Sequence, residues 1–348
     1  MILDFNSVLG LIWQASPKSQ LIIKPFKPSN LPTRDSHACT MNTPSLNFVT
    51  CPDASESDSH RMAYWQWGKP DSAHVVLCVH GLSRQGRDFD VLAQALCAHT
   101  ANSPDGIRVI CPDVVGRGES DWLEDPMGYQ VPAYAGDMLA LLAQLHSQSP
   151  ITTLDWVGTS MGGLIGLVVC GQPELPLPVP VRRLVLNDVG PAIEWGAIVR
   201  IGTYLGQAGH FNTQQSAADA MWAISQGFGP HTSAQWLALS LPMIRPVVKE
   251  ADDLFRLHYD PAIGVPFKLA TEESAQQGEA MLWQLFDAIQ AQTLLTRGKV
   301  SDLLSVATAQ AMTERGPRAR LVEFEGVGHA PTLIATEQVS TVVDFLLG

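Results

Sequence analysis

Ser160 stands in the run Gly158-Thr159-Ser160-Met161-Gly162-Gly163, between an apolar strand-like segment, LDWVG (154–158), and an apolar helix-like one, LIGLVVC (164–170). A serine placed there can attack an acyl carbon. To do so its hydroxyl has to project from the carboxyl end of a strand. A very tight strand-to-helix turn achieves that and strains the serine backbone. Side chains two positions before and after the serine would collide with neighbouring elements. Glycine is needed at both, and Gly158 and Gly162 supply it, with Gly163 adding room for close packing. The five-residue pattern alone is common by chance; the strand before it and the helix after it give it weight.

A serine hydroxyl is a weak nucleophile until an imidazole takes its proton. His329 is the last histidine, in Glu325-Gly326-Val327-Gly328-His329-Ala330-Pro331, a glycine-flanked loop directly after the last strand-like segment. An acid must orient the ring. Two aspartates follow strand-like segments: Asp188 in Leu186-Asn187-Asp188-Val189-Gly190, and Asp302 in Arg297-Gly298-Lys299-Val300-Ser301-Asp302. Either one, taken alone, also reads as a helix N-cap. The developing oxyanion needs two backbone N–H donors. One is expected from Met161, at a helix N-terminus where the dipole helps. The other is expected from Leu82, in Val79-His80-Gly81-Leu82-Ser83-Arg84. Gly81 there lets the backbone approach a substrate. His80 is expected to hydrogen-bond within its loop rather than to take part in chemistry.

These residues need a scaffold. LNFVT (46–50) and MAYWQW (62–67) alternate as a hairpin does. HVVLCVHG (74–81) is a continuous apolar run ending in glycine, the pattern of a buried parallel strand. Helix-like stretches at 88–99, 132–147 and 160–170 alternate with strand-like RVICPDVVG (108–116), LDWVG (154–158) and RRLVLNDVG (182–190). After residue 290 come QTLLTRG (292–298), a helix (302–314), RLVEFEG (320–326) and a helix (335–347). Alternation of this kind implies βαβ units: an α/β protein with a mostly parallel, doubly wound sheet of eight strands. Residues 191–290 break the rhythm and read as helical throughout, a cap (lid) by position. The expected organisation is a flexible extension (1–44), a core (45–190 with 291–348) and the cap.

Of 348 residues, 46% are apolar and 16% charged, a globular composition. The net charge is −12 and no Lys/Arg run occurs, which argues against nucleic acid and against stable association with an anionic membrane. No apolar run reaches the roughly 18 residues of a membrane span. Asp4 and the lack of a basic start make the N-terminus a poor signal peptide. Met41 is a candidate alternative start. The six cysteines form no CxxC pair, so neither a zinc site nor a redox pair is suggested; buried reduced thiols in a reducing, cytoplasmic compartment are expected. Oligomeric state leaves no trace in the sequence.

The loop at Gly81, the run Asp113-Val114-Val115-Gly116-Arg117-Gly118-Glu119-Ser120, the turn at Ser160, the segment 297–302 and the segment 326–331 together resemble the α/β-hydrolase superfamily. The resemblance is nearest to its lidded bacterial serine esterase and hydrolase branch, and covers about residues 46 to 348. It implies a Ser-His-Asp triad, an oxyanion hole of two N–H groups, a helical cap and no cofactor. Carried over, these are Ser160, Asp302 and His329, with Leu82 and Met161. Asp302 is implied because the usual acid in this fold follows the strand that succeeds the lid; Asp188 is then left to cap or anchor the lid entrance. Thr159 departs from the His, Gln or Tyr often found before the serine. Branches with Asp in place of Ser160, the dehalogenases and epoxide hydrolases, are disfavoured. Asp113 and Arg117 are expected to lock loops by salt bridge and hydrogen bonds.

The cap contains Trp195, Trp222, Trp236 and Trp283 with Met221, Met243, Leu237 and Leu241. They either line an acyl pocket or pack the cap onto the core. Gly81, Ser83, Trp195 and Trp222 are the candidates for substrate contact. The expected reaction is hydrolysis of hydrophobic short- to medium-chain or aryl esters, polyesters included. Lactonase, C–C bond hydrolase, perhydrolase and acyltransferase chemistries share the constellation. A non-catalytic receptor of the same fold is the alternative from another class.

Overall fold

The computed structural model of the chain describes residues 43–52, 59–207, 209–247 and 254–348. The expected extension, the Met41 start and Cys39 therefore lie wholly or almost wholly outside the described residues.

Eight strands form one sheet in the order β1-β2-β4-β3-β5-β6-β9-β10. Their ranges are β1 Ser45–Pro52, β2 Ser59–Gly68, β3 His74–Val79, β4 Arg108–Pro112, β5 Thr153–Thr159, β6 Val181–Asn187, β9 Gln292–Gly298 and β10 Arg320–Phe324. β1 pairs antiparallel with β2, as the hairpin pattern predicts; β2 also pairs antiparallel with β4, and all later neighbours pair parallel. Alternation along the strands sends side chains to two faces. In β3, Val75, Leu77 and Val79 enter one apolar cluster and Val76 and Cys78 the other. The first cluster is closed by α2 (Val131–Gln148) and α3 (Met161–Gly171) through residues such as Leu141, Leu145 and Ile165. The second is closed by α1 (Asp90–His99) and α10 (Thr336–Leu347) through Leu92, Leu96, Val342 and Leu346. Both faces are thus covered, which is why the central strands read as unbroken apolar runs.

Between β6 and β9 come α4 (Trp195–Tyr204), α5 (Gln214–Ile224), α6 (Ser233–Ser240), α7 (Gly264–Lys268) and α8 (Glu272–Ala288). The segment is not all-helical as expected. β7 (Ile244–Val247) and β8 (Leu254–Leu257) form an antiparallel ribbon within it. Four-residue strands are too short to announce a period, and Pro246 argues against a strand except in an edge position such as this. The cap has its own small core around Ala217, Ala218, Met221, Trp236 and Met243, with Trp222 and Leu237 packed against it. Trp222 and Trp236 meet edge to face at 4.9 Å. Trp283 lies elsewhere, on α8, stacked edge-on to the fully buried Phe286 of the main core. Most of the tryptophans expected at a pocket therefore serve packing.

The last crossover helix, α9, spans Val306–Glu314 with Ser305 as its cap, so Asp302 precedes the helix by several residues and is not its N-cap. Cys51, Cys78, Cys97 and Cys111 are buried. Among the described residues no helix is long and apolar enough to cross a membrane.

Candidate active site

Ser160 is the single residue between β5 and α3, with φ 50° and ψ −116°. A non-glycine residue with such a backbone costs on the order of 1–3 kcal/mol and is tolerated where the surroundings over-determine it. They do so here by close approach. A Cβ added at Gly158 would overlap the Gly162 carbonyl, and one added at Gly162 would overlap the Val79 carbonyl of β3. Glycine at both positions lets the turn close against the neighbouring strand, as its spacing in the sequence requires.

The Ser160 hydroxyl lies 2.9 Å from Nε2 of His329. The ring's Nδ1 lies 2.7 Å from Oδ2 of Asp188. With Nδ1–H donating to the carboxylate, Nε2 is free to accept from the serine; the tautomer is assigned from these partners. Asp188 directly follows the last residue of β6 and has φ 55°. It is fully buried. Its Oδ1 accepts from the Gly298 N–H at 2.7 Å and its Oδ2 from the Ser301 hydroxyl at 2.6 Å. The carboxylate is thus held by β9 and the loop after it while it faces His329.

Asp302 does not hold the ring, and the expectation that it would is corrected. Its carboxylate turns outward to the Arg200 guanidinium of α4, at 2.7 and 3.0 Å, and its side chain is 51% exposed. That pair anchors the start of the cap to the core, the role expected of Asp188. Of the two aspartates, Asp188 is the one that meets His329 in this structure.

Asn187 carried no signal in the sequence reading, yet it ties the site together. Its Nδ2 donates to Thr159 Oγ1 at 3.0 Å and to the Pro331 carbonyl at 2.8 Å, and its Oδ1 accepts from Thr296 Oγ1 at 2.8 Å. Its backbone carbonyl accepts from the Ser160 N–H at 3.0 Å. The serine turn, the histidine loop and β9 therefore meet on one buried amide. Asn is common at strand ends, so only the tertiary structure distinguishes this one.

Gly81 lies against the serine: a Cβ added to it would sit 3.7 Å from the Ser160 Cβ. The Gly81 carbonyl accepts from His80 Nδ1 at 2.7 Å and from the Arg84 N–H at 3.1 Å. That carbonyl shares its peptide plane with the Leu82 N–H. The two bonds fix the plane and polarise the N–H on its other side. His80 is fixed in turn by the Val114 N–H, which donates to its Nε2 at 2.9 Å. Ser83 and Trp195 are half-buried.

Burial pushes the His80 pKa down to about 3, with Arg117 and Arg84 adding to the effect against the opposing Gly81 bond. Neutral in the fold and protonated near pH 6.5 when unfolded, His80 binds its proton in the unfolded chain first. Its contribution is complete above about pH 6.5 and is lost as pH falls toward 3, at about 1.4 kcal/mol per pH unit. Asp113, pushed up to about 7 by its burial, contributes in the opposite sense over the same range, so the wild type alone does not isolate this loss. Measured by urea unfolding, the advantage of the wild type over His80→Asn, which keeps a donor for Gly81, is expected to shrink from pH 7 to pH 5. Equal pH dependence in both proteins would show that another group controls acid sensitivity.

The cap reaches the same loops. The Gly328 N–H donates to the Gly227 carbonyl at 2.6 Å, next to His329. His231 Nε2 lies 2.9 Å from the Thr332 hydroxyl. Arg84 Nη2 donates to the Leu239 carbonyl of α6 at 3.1 Å. An open cleft of about 520 Å³, lined by Glu119, Arg245, Pro246, Val247, Arg256 and His258, contains none of the triad residues. The site is therefore identified by its hydrogen-bond geometry and not by this cleft.

One group of metal-capable side chains gathers among the described residues. Cys51, His60 and Asp137, all buried, place ligand atoms within 4.8 Å of one another. His60 Nε2 lies 3.1 Å from Asp137 Oδ2, and the Cys51 thiol approaches the Asp137 carbonyl at 3.9 Å. The group sits on β1, β2 and α2, none of which carries a triad residue.

The chain is similar to known proteins over most of its length. The sequence pattern of the alpha/beta hydrolase family matches residues 76–342. A 3-hydroxybutyrate-oligomer hydrolase from Cupriavidus necator is 44% identical over 306 residues, 88% of this chain and 99% of its own length. Among solved structures, an alpha/beta hydrolase from Novosphingobium aromaticivorans is 33% identical with a TM-score of 0.72, covering 88% of this chain and 99% of its own. An esterase from Mycobacterium tuberculosis, 20% identical with a TM-score of 0.59 over 87% of this chain and 89% of its own, shares the fold. The chain belongs to the α/β hydrolase family, and it is a hydrolase.

Proposed function

We propose that the protein hydrolyses carboxylic esters through Ser160, His329 and Asp188, and that its substrates are short oligomers of 3-hydroxybutyrate. The observation that carries the mechanism is the unbroken hydrogen-bonded chain Ser160 Oγ, His329 Nε2, His329 Nδ1, Asp188 Oδ2. The substrate class rests on the likeness to the Cupriavidus necator protein.

In this reading Ser160 Oγ attacks the ester carbonyl as its proton passes to His329 Nε2. The carbonyl oxygen becomes an oxyanion held by the N–H groups of Leu82 and Met161. Asp188, kept in place by Gly298 and Ser301, fixes the ring and offsets the imidazolium charge. As the intermediate collapses and the ester C–O bond breaks, the ring gives its proton to the departing alkoxide oxygen, which becomes the free hydroxyl of one 3-hydroxybutyrate unit. Water, deprotonated by the same nitrogen, releases the acyl unit from Ser160 as a carboxylic acid. No cofactor takes part in these steps.

The test is steady-state turnover on the dimer and trimer of 3-hydroxybutyrate beside p-nitrophenyl butyrate, a lactone and a dienoate ketone. The oligomers are expected to give the highest kcat/KM. Silence on the oligomers with turnover of the butyrate ester would overturn the substrate class alone. A preference for the lactone or the ketone would replace ester hydrolysis with lactonase or C–C bond chemistry.

A further inference from the structure

Arg117 is fully buried, and among the described residues its guanidinium bonds only neutral groups. Nε donates to the Leu82 carbonyl at 2.8 Å. Nη1 donates to the Val115 carbonyl at 2.6 Å and to the Tyr134 hydroxyl at 3.1 Å. Nη2 points to the Met161 thioether at 3.6 Å. The rings of Tyr129 and Tyr134 lie 5.7 and 5.0 Å from its central carbon. The salt bridge with Asp113 expected from the sequence is not formed. Asp113 instead accepts the N–H groups of Gly86 and Glu119 and the Trp65 indole.

Burying a guanidinium without a carboxylate partner is costly, and an apolar residue of similar volume would serve stability as well or better. The arginine's partners suggest what the burial achieves. Leu82 lies in the loop after β3 and Met161 opens α3 after β5, and they are the two residues whose N–H groups are assigned to the oxyanion. Arg117 reaches both. The bond to the Leu82 carbonyl fixes the peptide that follows the donor N–H, while His80 and Arg84 fix the peptide that contains it. The planar fork of arginine can hold several acceptors in set directions; a lysine cannot.

We infer that Arg117 is a positioning residue of the oxyanion hole, holding Leu82 and Met161 at the spacing at which both N–H groups meet the ester oxygen above Ser160. The inference rests on the proposed serine mechanism. The arginine is itself held from the cap side. Arg117 forms an antiparallel bridge with Tyr259. The Gly118 N–H donates to the His258 carbonyl at 2.9 Å, and the Asp260 N–H to the Gly116 carbonyl at 2.7 Å. Tyr129, stacked on the guanidinium, donates to Asp260 Oδ2 at 2.6 Å. The segment 258–260 thus holds the backbone on both sides of Arg117, while the arginine side chain holds the oxyanion loop.

Wild type, Arg117→Lys, Tyr134→Phe and Ser160→Ala would be compared on p-nitrophenyl butyrate, a substrate that does not depend on the oligomer assignment. The readouts are kcat, KM, inhibition by butylboronic acid, and the unfolding midpoint. The boronate forms a tetrahedral adduct on the serine and needs the oxyanion hole. Arg117→Lys is expected to lower kcat about 10- to 100-fold with KM within about threefold, and to weaken the boronate by a similar factor. Tyr134→Phe, which removes one partner of the guanidinium, is expected to move kcat and boronate binding in the same direction by less. If Arg117→Lys does not fold, the Tyr134→Phe arm decides. Wild-type kcat and boronate affinity in the folded variants, or a loss confined to KM, would overturn the inference. Full turnover by Ser160→Ala, or none by the wild type, would instead overturn the serine mechanism beneath it.

Discussion

Ser160→Ala is expected to lower kcat on 3-hydroxybutyrate dimer by on the order of 10⁴- to 10⁶-fold while leaving the protein folded. The hydroxyl contributes one hydrogen bond in the resting structure, to His329, and its loss does not disturb the turn. The turn is built by Gly158, Gly162 and the bond from the Ser160 N–H to Asn187, all of which remain. Ser160→Gly adds a second reading. At φ 50° a Cβ is strained, and glycine is not. The glycine variant should be equally inactive yet more stable than the alanine variant by about 1 kcal/mol, the strain relieved being partly offset by the greater freedom of glycine in the unfolded chain. Urea unfolding of the two variants checks this. An alanine variant with more than a hundredth of wild-type kcat would remove Ser160 from the mechanism. An alanine variant as stable as the glycine one would show that the strain in the turn is no larger than the entropic cost of the glycine.

How far the sequence carries depends on how local each requirement is. The serine turn is legible because its demands lie within five residues: glycine on both sides, a strand before, a helix after. The histidine is legible because it stands in a glycine-flanked loop after the last strand. Alternating and continuous apolar runs foretell the eight strands, since both faces of the sheet are buried. The ribbon Ile244–Val247 with Leu254–Leu257 is invisible, being too short to show a period and interrupted by proline. Asn187 is invisible because its three partners come from β5, β9 and the loop after β10. Arg117 looks like a loop-locking residue in sequence, and only the distances reveal which loops it joins.

The acid is the instructive failure. β6 and β9 are adjacent parallel strands, so Asp188 and Asp302 both follow strand ends that face the same side. The family resemblance points to the later one. Local geometry selects the earlier. Asp188 is the first residue past its strand and takes a left-handed backbone, which Asp tolerates better than most residues. That brings its carboxyl onto the line between Gly298 and His329. Asp302 stands four residues beyond Gly298, after the chain has turned toward α4, where Arg200 captures it. The identity of that captor could not be read from the neighbourhood of either aspartate.

Asp188→Asn is accordingly expected to reduce kcat by about 10⁴-fold, and Asp302→Asn to leave it within about twofold of wild type. The replacement at 188 keeps the shape and can still accept from Gly298 with its remaining oxygen. Its amide N–H₂, however, would face Nδ1 of His329 and donate to it. The ring proton would then sit on Nε2, where it cannot accept the Ser160 proton. Asp302→Asn removes one half-exposed ion pair with Arg200, a contribution of about 0–1 kcal/mol to stability that salt screens further. The pair of variants is therefore self-controlling: same chemical change, adjacent strand ends, opposite consequences for turnover. Steady-state kinetics with unfolding midpoints on both decides the assignment. A collapse of kcat in Asp302→Asn with full activity in Asp188→Asn would mean that the cap rearranges during turnover, releasing Asp302 from Arg200 to take the ring.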